Sequence, residues 1–164
     1  MLKECLPEEN VIRAILSAHW DQKKNRISSD LFKGINISVS RLFILPLNDL
    51  FKIFHKELDR PDFQPPKFVL GAGEIKIGHL QYVGINHTEP TKISVIPTPT
   101  VINPAHAEIP EKITKGLSRK IIQALIIHKE SSRVSHLKDF FSDLARLGRC
   151  LIRGLVWGRG KLFK

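Results

Sequence analysis

No helix and no continuous sheet ladder can run through residues 59–66. The segment reads Asp-Arg-Pro-Asp-Phe-Gln-Pro-Pro, and each proline lacks the backbone N–H that regular structure uses and fixes φ near −65°. Regular structure must therefore be assembled from separate pieces on either side. Pro97 and Pro99 close a further segment, because both cannot sit in a central strand. A chain of 164 residues divided this way is still the size of one domain and buries roughly 70% of its unfolded surface.

The apolar pattern of each piece predicts its form. Val11, Ile12, Ile15 and Leu16 follow Glu8 and Glu9 at the spacing of a helix face, with the acids at the favourable end of the dipole, which predicts a short helix from about Pro7 to Ala18. Ile35, Ile37 and Val39 alternate with polar residues and predict a strand running toward Leu45. Leu47, Leu50, Phe51, Phe54 and Leu58 predict a second helix, capped by Asn48 and ending near Asp59. Residues 68–78 mix apolar residues with three glycines, as in one strand with a bulge or two short strands. Lys92 to Ile96 is a third strand candidate, and Asn103-Pro104 has the cap-then-proline order of a helix start.

The last third reads as basic and helical. Ile113, Leu117, Ile121, Ala124 and Leu125 share one face of a helix predicted from Glu111 to about His128, with Lys112, Lys115 and Arg119 along another. Leu137, Phe140, Phe141, Leu144, Leu147 and Leu151 predict a further amphipathic helix with Arg146, Arg149 and Arg153 opposite, followed by a mobile Gly-rich tail. The fold class expected is α+β: residues 1–130 as one small domain with a short sheet packed on helices, and residues 131–164 as a basic helical extension.

Charge follows the same division. Residues 1–110 hold 13 Lys+Arg against 12 Asp+Glu, whereas residues 111–164 hold 13 against 4. A concentrated positive field attracts phosphate or acidic surfaces, so residues 111–164 are where a nucleic acid or an acidic protein is expected to dock. An anionic membrane surface is the less favoured partner, and no apolar window is long enough to span a bilayer. The acidic start, MLKECLPEEN, lacks the basic stretch of a secretory signal. Cys5 and Cys150 form neither a disulfide framework nor a zinc set, so a reducing cytoplasm is expected.

Chemistry is sought in the nearly neutral part. In an extended segment His106 and Glu108 of Asn103-Pro104-Ala105-His106-Ala107-Glu108 fall on one side, an arrangement suited to an acid/base pair or to metal ligation. The alternative is a capped turn in which Glu108 orients His106. His19 beside Trp20 offers a nucleotide-binding edge, though Trp20 also reads as a core anchor. Arg41, Ser28 and Ser29 are candidate phosphate ligands, while Ser28-Ser29 before Asp30 also reads as a cap. A small enzyme acting on a nucleotide or nucleic acid would need His19, Arg41, His106 and Glu108 in one pocket. Gly71-Ala72-Gly73-Glu74 lacks the spacing of a dinucleotide or phosphate loop, and no Gly-x-Ser-x-Gly element occurs. No metal site and no particular cofactor is indicated.

The succession His19-Trp20, Ile27-Ser28-Ser29-x-x-Phe32-Lys33, Ile37-Ser38-Val39-x-Arg41-Leu42, Gly73-Glu74-Ile75 and Asn103-Pro104-Ala105-His106-Ala107-Glu108-Ile109 resembles a family of small uncharacterised bacterial proteins that share the Asn-Pro-Ala-His-Ala-Glu motif. The resemblance covers about residues 7–128. It implies a bacterial cytoplasmic setting and marks His19, Ser28, Ser29, Phe32, Arg41, Asn103, Pro104, His106 and Glu108 as motif positions, without supplying a mechanism.

Overall fold

Asn10–Leu16 is a strand (β1), not the helix its apolar spacing predicts. The computed structural model describes residues 4–21, 24 and 26–130, and within them β1 is flanked on both sides by antiparallel neighbours, Ile37–Arg41 (β4) and Val69–Lys76 (β5). A strand buried on both faces carries apolar residues at consecutive positions, which periodicity alone does not distinguish from a buried helix. Val11 and Ile15 enter one core, and Ile12 and Ala14 enter the other.

The remaining elements are a two-stranded ribbon of Trp20–Asp21 (β2) and Arg26–Ile27 (β3), helix Leu47–Leu58 (α1), helix Ile77–Ile85 (α2), strands Ile96–Pro97 (β6) and His106–Ile109 (β7), helix Lys115–Gln123 (α3) and strand Ile126–Lys129 (β8). The main sheet has six strands in the order β6-β7-β4-β1-β5-β8, with every neighbouring pair antiparallel. Helices and sheet together make an α+β fold.

Each face of the sheet is covered. On one, Leu80 of α2, Leu117 and Ile121 of α3, and Phe32 pack on Val11, Val39 and Ile109. On the other, Leu50 and Phe54 of α1 close over Ile12, Ala72 and Ala105. Phe32, Ile12, Leu50, Leu80 and Leu117 are fully enclosed. Burying such a side chain contributes roughly 1.5–3 kcal/mol, so these two layers carry most of the favourable folding energy.

Several boundaries shift for physical reasons. The helix predicted from Glu111 to His128 occupies only Lys115–Gln123, where the Thr114 hydroxyl accepts from the Leu117 amide as N-cap. Ile126–Lys129 then pairs with β5 as the sheet edge. Gly71 permits that pairing, since a Cβ there would overlap the His128 carbonyl. The glycine-bearing segment is one strand with a register shift opposite Ile15 and Leu16, and it feeds directly into α2, whose Gly78 and Gly84 concealed it. Asn103-Pro104 forms a tight turn, not a helix start. The predicted strand at residues 35–45 ends at Arg41, and that at 92–96 is reduced to Ile96–Pro97. The basic extension of residues 131–164, with Arg146, Arg149 and Arg153, lies outside the described residues. Among the described residues no helix is long and apolar enough to cross a membrane.

Candidate functional site

β1 and β4 begin as a regular pair and then separate. Val11 pairs with Arg41 and Ile12 with Ser40, but the ladder stops there. The next β1 residue is Arg13, whose long side chain enters the gap and donates through Nη1 to the Ser38 carbonyl of β4. A cleft of about 240 Å³ opens at this split. Arg13, His19, Ser38, Ser40, Glu57 and His106 contribute its polar lining, with Ile12 and Phe54 among its apolar walls.

The Arg13 guanidinium is unusually placed. Its Cζ lies 5.8 Å from the Phe32 ring centroid, its Nε is buried without a hydrogen-bond partner, and no described carboxylate is ion-paired with it. Burial pushes its pKa down to about 10, still high enough to keep it charged at neutral pH. Arg13 is half-buried, and a charge taken even partly out of water without a counter-charge is destabilising.

His19 sits in the single turn of Ser17–His19 that ends β1. Its Nδ1 accepts from the Leu16 amide at 3.2 Å, which leaves the proton of the neutral ring on Nε2. Burial and the Arg13 charge lower its pKa to about 4, with Asp30 opposing and Lys67 adding to the fall. At neutral pH His19 is thus an uncharged donor.

His106 reaches the cleft from β7 through the turn that precedes it. Asn103 is buried; its side-chain carbonyl accepts from the Ala105 amide at 3.1 Å, and its amide donates to Ser40 Oγ at 2.9 Å. The His106 amide closes the four-residue turn onto the Asn103 carbonyl, with Pro104 at its second position. Asparagine is suited here because its side chain replaces a backbone turn bond. His106 Nδ1 lies 2.9 Å from both the carbonyl and the hydroxyl of Thr98. Donation to that carbonyl leaves Nε2 with the ring's lone pair.

The other sequence-derived candidates lie elsewhere. Glu108 shares a face of β7 with His106, as alternation requires, but does not line the cleft. Arg41 is held by both oxygens of Glu9 at 2.9 and 3.1 Å. Ser28 caps its turn by accepting from the Asp30 amide, and the Ser29 carbonyl accepts from the Ser118 hydroxyl. The structure therefore brings His19 and His106 together, but not with Arg41, Glu108, Ser28 or Ser29. Arg13 and Glu57 were not anticipated, although a lone arginine within Val11-Ile12-Arg13-Ala14-Ile15 signals a buried cation once the run is read as a strand.

A second feature is the outer face of α3. Lys112, Lys115, Arg119 and Lys120 are exposed, and no described acid is ion-paired with them. The nearest acid in sequence, Glu111, is occupied by the Ser94 amide and hydroxyl. A reciprocal pair of backbone bonds between Gly34 and Ile113 brings exposed Lys33 to the start of this helix. Among the described residues no group of three or more His, Cys, Asp or Glu is placed to hold a metal ion. Comparisons with family models, curated proteins and solved structures return no match to the chain.

Proposed function

We propose that this chain is a non-catalytic binding protein whose cationic last third docks on the phosphate backbone of a nucleic acid. The reading rests on one observation: α3 and the segment leading into it expose Lys112, Lys115 and Arg119 without paired acids among the described residues. Solvation alone accounts for a face of mixed sign more readily than for one of single sign. The sequence beyond it continues the trend, with six Lys+Arg and no acid in residues 144–164. Aromatic residues are scarce there, so backbone charge, not base stacking, is the basis of recognition.

The test is the salt dependence of duplex DNA binding by the full chain and by two charge-reversal variants, Lys115→Glu/Arg119→Glu and Arg146→Glu/Arg149→Glu/Arg153→Glu. Each lost phosphate contact lowers the slope of log K against log salt by about 0.9, so the double variant is expected to lose close to two. Unaltered affinity and slope in both variants would rule out the reading. Binding to an acidic polypeptide but not to DNA would replace the nucleic acid with a protein partner.

A further inference from the structure

We propose that the cleft at the β1–β4 split is a second, separate binding site, one that takes the carboxylate or phosphate group of a compact small molecule against Arg13. The proposal stands on the geometry of the split and is independent of the α3 face.

Arg13 is the first β1 residue beyond the pairing with β4, though it still pairs with Gly73 of β5. The ladder between β1 and β4 ends at Ile12 and Ser40, and the guanidinium fills the gap with one neutral acceptor, the Ser38 carbonyl. Arg41, by contrast, is gripped by both Glu9 oxygens. Arg13 keeps its charge beside the cavity, and its Nε, shut away from solvent, has no partner. An incoming oxyanion supplies the missing counter-charge, and the fork of guanidinium donors matches its planar or tetrahedral oxygens.

The neighbouring groups suit the same ligand. His19 offers Nε2–H without adding a second buried charge, because Nδ1 is committed to the Leu16 amide. Ser40 is buried and already accepts from Asn103, so its hydroxyl hydrogen is free to be donated. His106 Nε2 is an acceptor for a ligand hydroxyl or a protonated phosphate oxygen. The titratable groups lining the cleft are Arg13, His19, Glu57 and His106. Glu57 opposes an anion and so limits affinity. At about 240 Å³ the cleft is smaller than the range of roughly 300–1,000 Å³ typical of drug-sized ligands, so the occupant is compact.

The experiment follows the Arg13 Nε–H resonance of the full chain by nitrogen-correlated NMR during titration with inorganic phosphate and, separately, with acetate at pH 7. Saturable movement with either ion is expected. Phosphate alone assigns a phosphoryl ligand, and acetate alone a carboxylate. Glu57→Gln is expected to tighten the apparent Kd by about threefold or more by removing a nearby like charge, and Lys115→Glu/Arg119→Glu to leave it unchanged. Arg13→Met is expected to abolish binding. Should that variant not fold, Glu57→Gln decides the matter. Absence of saturation with both ions up to about 50 mM, a range that covers weak sites, overturns the proposal, as does an affinity that follows the α3 charges and ignores Glu57.

Discussion

Protonating His19 should cost this fold a measurable share of its stability. In the folded chain its pKa is lowered from the usual 6.5 to about 4, by burial first and by the Arg13 charge second. A group whose folded pKa lies below its unfolded value binds more protons when unfolded, so stability is complete above pH 6.5 and declines as pH falls toward 4. Each tenfold change in a protonation equilibrium corresponds to about 1.4 kcal/mol, giving a loss of about 2 kcal/mol at pH 5 and about 3 kcal/mol once both states are protonated. Native stabilities run at about 5–15 kcal/mol, so the effect falls well within range of urea titration. His19→Asn is the control: it keeps an acceptor near the Nδ1 position for the Leu16 amide but has nothing to titrate. The stability difference between wild type and His19→Asn should narrow or reverse by about 2 kcal/mol between pH 7 and pH 5. Parallel stability curves across that window would refute the argument and mean that solvent or a counter-charge reaches His19.

Other outcomes follow from single contacts. Glu9→Ala leaves Arg41 half-buried and unpaired and should destabilise by about 3 kcal/mol in thermal or urea unfolding, whereas a paired Glu9→Ala/Arg41→Met variant should recover part of that loss. Leu50→Ala removes the centre of the α1 contact from a fully enclosed site and should cost about 2–5 kcal/mol by urea unfolding. Gly84→Ala forces a Cβ to 2.5 Å from the Thr91 carbonyl, and its thermal midpoint should fall by several degrees, in contrast with the gain usual for Gly→Ala in a helix.

What could be read from residues alone depended on whether a segment was buried on one face or two. α1 is amphipathic, with Leu50 and Phe54 inward and Lys52 and Lys56 outward, so its 3.6-residue period is visible in the sequence. β4 shows alternation for the same reason over Ile37-Ser38-Val39. β1 is covered on both faces, and its apolar positions therefore imitate the spacing of a helix face. α2 is apolar on nearly all sides and punctuated by glycines, so it imitates a continuation of β5. In the candidate site, His106 drew notice because it alternates with Glu108 along an extended segment, whereas the Asn103-Pro104 turn that places it read as a helix start. Arg13 did not, since reading β1 as a helix sent it to solvent. The pairing of Arg41 with Glu9 joins residues 32 apart, and nothing local signals it.

The place of β1 within the sheet has a consequence for how the chain is made. Of the described strands it comes earliest in the chain, yet its two partners are β4 and, some sixty residues after β1 itself, β5. Until residue 76 has been synthesised, the central strand must wait with one edge unpaired, and the helices that pack over Val11 and Ile15 come later still. Pairings of such long sequence separation form slowly and leave strand edges open to wrong partners. Synthesis therefore passes through a window in which Asn10–Leu16 is the segment most in need of protection, and a pause placed before Val69 would lengthen that window.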